Sequence, residues 1–394
     1  MADRDPVLVS AVRTPVGRFL GALSSLAAPE LGAIAIREAL IRAHAPAELL
    51  DEVIMGNVVT AGIGQAPARQ AALNAGIPAD VPAFTVNKVC GSGLKAVMLA
   101  AQAIKAGDGD LFAAGGMESM SNAPYLLPKA RTGFRMGDAT VVDSVVHDGL
   151  WCAVEHVHMG EEAEIIADKF SISREAQDQF AYQSHIKAAA ATEAGRFRDE
   201  MVPVEIAQKG GKLVVDRDEP IRADTTIEAL TRLRPAFRKE GGSVTAGNAP
   251  GLSDGAAATI VASEAKAREL GLPVLARITG YAAAAIEPRY IFACPPRAVH
   301  KLLERTGMKM SDFDLIEVNE AFSAQVLANG QELDWDWSRV NPNGGAVALG
   351  HPIGASGARV LATLVHELRR RGGGRGLATL CLGGGGAVAM SVEV

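Results

Sequence analysis

The sequence predicts an α/β protein built from two similar halves, with a loop-rich region inserted in the first. Three observations carry this reading. Strand-like and helix-like stretches alternate along the chain, as in packed α/β layers. The order of elements in the first third returns in the last third at a nearly constant offset. Hydrophobic residues make up 48% of the 394 residues and aromatics only 5%, so the core must rest on Ala, Val, Leu and Ile. That composition suits branched strands under Ala-rich helices.

Taken in order, "PVLVSAV" from Pro6 reads as a strand and "LGAIAIREALIRA" from Leu31 as an amphipathic helix. "EVIMGNVV" from Glu52 is a strand, followed by the helical "APARQAALNAG". "AFTVNKV" from Ala83 reads as a buried strand, "GLKAVMLAAQAIKAG" as a buried helix, and "LFAAGG" as a short strand ending in glycines. In the second half Leu40, Ile54 and Asn57 fall on Leu302, Ile316 and Asn319, and Ser92-Gly93 on Ser356-Gly357, each opening a helix. Gly115-Gly116 falls on Gly383-Gly384, each expected after a short strand. One coincidence of this kind means little; the same order of elements indicates two related halves packed as a pseudo-symmetric pair. The intervening stretch, with its Pro residues, the helical "REAQDQFAYQSHIKAAAATEAG" and the polar "KGGKLVVDRDEP", reads as an insertion of loops and helices suited to substrate contacts. "VTAGNAPGLSDGAAATIVAS" then completes the first half. The expected units are 1–120 plus 245–270, 121–244, and 271–394.

The net charge of −6 argues against non-specific nucleic-acid binding. The four cysteines, Cys90, Cys152, Cys294 and Cys381, form no CxxC pair, and a chain of this size needs no disulfide scaffold. "MADRDPVLVSAVRTP" enters a strand directly, and no run approaches the ~18 apolar residues of a membrane span. The expectation is a soluble cytoplasmic protein with no membrane partner.

Four stretches combine reactive side chains with glycine. "NKVCGSG" places Cys90 at a strand-to-helix turn, where the positive end of the helix favours a thiolate and Gly91 and Gly93 let backbone N–H groups approach a bound oxygen. A buried structural cysteine is the alternative there. "NPNGGAVALGHPIGASGARV" sets His351 among five glycines just before a helix, and imidazole is the usual base for a thiol. "LATLCLGGGGAVAM" puts Cys381 near the end of a buried strand; the glycine run lacks the Lys-Ser/Thr of a phosphate loop. "LIEVNEAFSAQ" puts Asn319 and Glu320 at a strand end, where Asn319 either caps a helix or orients a water or carbonyl. If the halves face each other, two thiols, an imidazole and an amide share one site, a constellation suited to acyl transfer through a thioester.

These stretches, with "VRTPVGRF", "GGMESMSNAPY", "RMGD", "LRPAF" and "TAGNAPGLSDGAA", resemble the thiolase family over essentially the whole chain, in its acetyl-CoA acetyltransferase form. The resemblance implies a thiolase fold, two halves layered α-β-α-β-α with an inserted loop domain. It implies that Cys90 takes the acyl group and that His351 activates Cys90. His351, with a water held by Asn319, would also stabilise the second substrate's thioester oxygen, while Cys381 moves the α-proton. The N–H groups of Cys90 and Gly383 would form the oxyanion hole of the acylated cysteine. Leu150, His158, Met159, Arg222, Ala249 and Pro250 would border CoA and the acyl group. CoA would be substrate and product, with no resident cofactor or metal. "TGFRMGD", with Arg131 and Arg135, resembles a tetramer loop, implying a homotetramer built as a dimer of dimers. The basic residues Arg232, Arg234, Arg238 and Lys239 suit CoA phosphates or a solvated face.

The chain departs from the family at Pro250 and Ala229, where members often carry serine, at Glu161 and Glu162 after "HMG", and at "FACPP" around Cys294. Competing functions are a 3-ketoacyl-CoA thiolase of broader chain length and a non-catalytic acyl-CoA-binding protein on the same fold. Retention of Cys90, His351 and Cys381 weighs against the second, and "HMG" against the first.

Overall fold

The computed structural model describes residues 2–394. Its frame is one mixed sheet of nine main strands: β1 Pro6–Arg13, β2 Glu52–Gly56, β3 Ala83–Val86, β4 Leu111–Ser119, β5 Ser253–Ser263, β6 Ala276–Ala285, β7 Leu315–Val318, β8 Arg375–Leu382 and β9 Gly386–Glu393. They lie in the order β7-β8-β9-β6-β1-β5-β4-β2-β3, and the two-residue strand Gly17–Arg18 pairs with β5. β2 runs parallel to β3 and β4, as β7 does to β8, and the remaining pairs are antiparallel.

The repeat is visible in this order. The first half runs β3-β2-β4-β5-β1 and the second β7-β8-β9-β6. The missing fifth member is reduced to one parallel bridge between Ile316 and Val340. The halves join where Val7 and Leu8 of β1 meet Arg277 and Ala276 of β6.

Helices fill the layers. α1 Ala28–Ala43 and α2 Pro67–Asn74 cover the outer face of the first half. α3 Ser92–Ala106 lies in the middle and packs with the long helix after His351 in one core shared by both halves. Leu94, Ala96, Val97, Met98, Ala100, Ala101 and Ile104 are buried, while Gln102, Lys105 and Ala106 at its C-terminal end are exposed, so the enclosed part is the first three turns. The inserted region supplies α4 Met159–Lys169 and α5 Arg174–Glu193. α6 Pro295–Thr306 and α7 Ser323–Leu333 border the outer face of the second half, and α8 Ser356–Arg370 is the second central helix. The layers therefore stack α-β-α-β-α.

α3 and α8 meet backbone to backbone at their first turns. A Cβ on Gly357 would sit 2.3 Å from the Leu94 nitrogen, and one on Gly93 2.8 Å from the Ala358 nitrogen. These corresponding glycines therefore let the halves touch on the pseudo-two-fold axis, rather than bringing N–H groups to a substrate.

Three other expectations change. β3 is a half-exposed edge strand, not a buried one, because it terminates the sheet. "LFAAGG" continues to Ser119, so Gly115 and Gly116 are mid-strand and do not correspond to Gly383 and Gly384, which follow β8. The polar "KGGKLVV" forms a hairpin, Val204–Gln208 with Gly211–Val215. The insertion is tied down by Arg13 of β1. This fully buried side chain reaches Glu200 at 2.5 Å and Asp218 at 2.7 Å, an ion pair with its hydrogen bonds satisfied.

Candidate active site

A strained turn presents Cys90. Val89 adopts φ +46°, a conformation that costs a β-branched residue roughly 1–3 kcal/mol and persists only where neighbours impose it. Here the Val89 N–H donates to Asn87 Oδ1 at 3.1 Å. Ser92 Oγ donates to the Val89 carbonyl at 2.6 Å and accepts from the Lys88 N–H at 2.8 Å. Cys90 is thereby held just ahead of α3, on the wall of a cavity of about 470 Å³.

His351, Cys381 and Gly383 line the same cavity, as do Leu150, His158, Met159, Arg222, Ala249 and Pro250. The fold thus brings both predicted thiols and the imidazole together from segments up to 291 residues apart in sequence. Asn319 is fully buried beside His351, its Nδ2 3.4 Å from His351 Nε2. It caps no helix, because α7 begins only at Ser323 with Phe322 at its N-cap. Of the basic residues in the insertion only Arg222 reaches the cavity; Arg238 pairs with Asp168 at 2.7 Å, and Arg232, Arg234 and Lys239 point to solvent.

Hydrogen bonds fix the state of His351. Ser356 Oγ donates to the Pro352 carbonyl at 2.9 Å, so its lone pair faces His351 Nδ1 at 2.6 Å. With the hydroxyl hydrogen on that carbonyl, Nδ1 carries the proton. Nε2 then presents a lone pair to the cavity, which is what a base for Cys90 requires. The loop is held from the other side by Ser253 Oγ, which accepts the His351 N–H at 3.1 Å. Sequence reading noted Ser356 only as a helix start and missed Ser253; no local signal distinguishes either from an ordinary serine.

Burial keeps the resting site neutral. Cys90 is half-buried on the cavity wall, and its removal from water pushes the thiol up to about 12, against the pull of the Gly383 N–H and of its own N–H. The expected thiolate at the helix end is therefore a thiol at rest, since removal from water outweighs those donors. Burial lowers His351 to about 3, assisted by the charge of Arg359. Cys381 is raised by burial and then by its neighbours Cys90 and Cys294, so a charge on one of the facing thiols opposes a charge on the other.

One end of the cavity is apolar. Met159, Ile291, Phe292, Ala321, Phe322 and Cys381 belong to one buried cluster, with Phe292 edge-on to Phe322 at 5.2 Å. At the mouth His158 stacks on Phe237 at 4.7 Å. His158 also caps α4, its Nδ1 accepting the Gly160 N–H at 3.0 Å, so Nε2–H is the donor it offers the cavity. Gly160 is required there because a Cβ would lie 2.2 Å from the Phe237 ring. Glu162, one turn on, is buried beside Cys152, and burial raises its carboxyl to about 7. Among the described residues no group of His, Cys, Asp or Glu is placed to hold a metal ion, and no helix is long and apolar enough to cross a membrane.

Residues 6–265 match the family model described as Thiolase, N-terminal domain, and residues 272–394 the one described as Thiolase, C-terminal domain. The chain belongs to the thiolase family. This thiolase is 57% identical over 390 residues to the acetyl-CoA acetyltransferase of Pseudomonas aeruginosa, with 99% of each chain covered. It is 55% identical to that of Cupriavidus necator, again covering 99% of each. The crystal structure of the Bacillus anthracis acetyl-CoA acetyltransferase superposes with a TM-score of 0.97 at 44% identity, covering 100% of this chain and 99% of that one. The fold expected from the repeat is thus the thiolase fold.

Proposed function

We propose that this thiolase is an acetyl-CoA acetyltransferase, joining two acetyl-CoA reversibly into acetoacetyl-CoA and CoA. The observation that carries the reading is the convergence of Cys90, His351, Cys381 and the Gly383 N–H on one apolar-walled cavity, with His351 held as the Nδ1–H tautomer.

His351 Nε2 takes the Cys90 proton as the sulfur attacks the acetyl-CoA carbonyl, and the Cys90 and Gly383 N–H groups receive the developing oxyanion. Cys381 protonates the departing CoA sulfur and is left as a thiolate beside the imidazolium. That thiolate removes the α-proton of a second acetyl-CoA. The thioester oxygen of this second substrate is met by His351 Nε2–H and by a water on Asn319. The carbanion attacks acetyl-Cys90, and the released sulfur recovers its proton from His351. Atoms and protons then balance over the cycle. Only one thiol is charged at a time, in keeping with the mutual repulsion of Cys90 and Cys381.

The apolar wall of Met159, Phe292 and Phe322 supports a short acyl group over the chain lengths of a broad 3-ketoacyl-CoA thiolase. His158 and Arg222 would meet the pantetheine and nucleotide of CoA, which is substrate and product rather than a resident cofactor. The units 1–120 plus 245–270, 121–244 and 271–394 would work as two halves and a CoA-binding insertion. The exposed edge of β3 and the exposed Phe134 and Met136 support assembly of copies into a homo-oligomer, and the reading includes a cytoplasmic location.

The test is to mix the protein with acetyl-CoA and map acetylation by mass spectrometry. Label on Cys90, retained in Cys381→Ala and lost in Cys90→Ala, is expected; a folded wild type without acetyl-enzyme would sink the mechanism. Faster thiolysis of an eight-carbon than of a four-carbon 3-ketoacyl-CoA would overturn the short-chain assignment.

A further inference from the structure

The pseudo-symmetry places a second Asn-acid pair opposite the one in the site. Ile54 lies beside Ala114 in the first half, and Ile316 beside Leu377 in the second. Counting three residues on from each isoleucine brings Asn57 to the place of Asn319. Counting four on from each partner brings Glu118 to the place of Cys381. Both asparagines are fully buried and both leave Oδ1 without a partner; Asn57 turns Nδ2 to Glu118 and the Met117 carbonyl, and Asn319 turns Nδ2 to His351.

The first-half pair is a hub of donors. Glu118 Oε1 accepts from Asn57 Nδ2 at 2.8 Å and from the Val59 N–H at 3.2 Å. Oε2 accepts from the Val58 N–H at 3.1 Å and from the Gly354 N–H at 2.9 Å. Gly354 stands three residues after His351, in the other half of the molecule. A Cβ on it would fall 2.8 Å from Glu118 Oε2 and 2.7 Å from the Met117 carbonyl, so the loop lies directly on the carboxyl. Val58 and Val59, the other residues bound, share a buried cluster with Ile353 and pack against Cys90. One carboxyl thus joins the wall behind the nucleophile to the loop that carries its base.

We propose that Asn57 and Glu118 are a positioning pair that sets the distance between Cys90 and His351 across the interface of the two halves. The pair occupies the silent copy of the Asn319–Cys381 position. Burial pushes the Glu118 carboxyl up to about 8, against the pull of the Val59, Gly354 and Val58 N–H groups. All four of its partners donate, so it is the ionised form, with four acceptor sites, that satisfies them, and an amide does not. Glu118→Gln keeps the shape but turns one N–H₂ against donors on whichever side it takes. The Gly354 loop or the Val58–Val59 wall must then move, and a displacement near 1 Å at reacting groups is worth about 100-fold in rate.

The proposal rests on the roles given above to Cys90 and His351. Wild-type turnover tests those roles, and the ratio of variant to wild type tests the pair. Steady-state thiolysis of acetoacetyl-CoA is measured for wild type and Glu118→Gln, together with thermal midpoints and the rate of Cys90 alkylation by iodoacetamide near neutral pH. The expected result is a folded variant with kcat lowered about 10- to 100-fold, KM within about twofold, and alkylation slowed in step with kcat. An unchanged kcat overturns the proposal. So does a lowered thermal midpoint with alkylation at the wild-type rate, which marks a purely structural role. If Glu118→Gln does not fold, Asn57→Ser removes one donor and leaves the carboxyl. A fall in kcat of about threefold or more at constant KM then supports the pair, and none overturns it.

Discussion

Removing the Ser356 hydroxyl tests the tautomer argument most directly. In Ser356→Ala the His351 Nδ1–H loses its acceptor at 2.6 Å in a site where His351 is only 8% exposed. A buried donor left unpaired costs about 1–3 kcal/mol. The ring can avoid that cost by moving the proton to Nε2, but it then has no lone pair for the Cys90 thiol. Either way the same energy separates the resting ring from the reactive one. At tenfold per 1.4 kcal/mol, acylation of Cys90 should slow by about 5- to 150-fold. The assay is single-turnover acetylation by acetyl-CoA, with steady-state kcat and KM alongside. Because Ser356 lies behind the ring, away from the cavity, KM should hold while kcat falls. Acylation within twofold of wild type, or a loss confined to KM, would refute the assignment of Nε2 as the base.

Three further outcomes follow from the same geometry. Gly160→Ala drives a Cβ into the Phe237 ring, so the ring must leave His158; KM for acyl-CoA should rise about fivefold or more, with a lower thermal midpoint. His351 is held at about 3 in the folded protein against about 6.5 unfolded. The unfolded chain therefore binds a proton that the folded chain cannot, and stability falls as pH drops below 6.5, by up to about 1.4 kcal/mol per unit. Urea midpoints at pH 7, 6 and 5 should decline less steeply in His351→Asn, and parallel slopes would contradict this. Phe292→Ala removes the edge-on partner of Phe322 from the cavity wall; the ratio of eight-carbon to four-carbon thiolysis should rise about tenfold, at a cost of about 3–5 kcal/mol in stability.

Much of the site was legible because its residues sit at punctuation in the sequence. Cys90, His351 and Cys381 each adjoin glycines at an element boundary, and boundaries are where side chains leave regular ladders and face a cavity. Asn319 was legible through its company and the repeat rather than through itself. Phe237, Phe292, Ser253 and Glu118 were not legible. Their stretches entered the resemblance or its departures as wholes, without giving these residues a role of their own. Each acts on a residue at least 30 positions away, a relation no short window of sequence contains. The misread glycines teach the same lesson. Gly115 and Gly116 resembled a strand end by composition, yet cross-strand pairing carries β4 through them.

Sequence alone determined the alternation of strands and helices, the repeat, and the presence of two thiols, an imidazole and an amide at turns. Periodicity and turn chemistry are local, so the chain displays them directly. Tertiary structure decided the rest: the edge position of β3, the contact of α3 with α8 through Gly93 and Gly357, and the burial that keeps Cys90 a thiol. It also decided the proton on His351, which depends on Ser356 turning its own hydrogen to Pro352. Burial, close approach and hydrogen-bond direction are properties of neighbours in space. They came into being only when the two halves met.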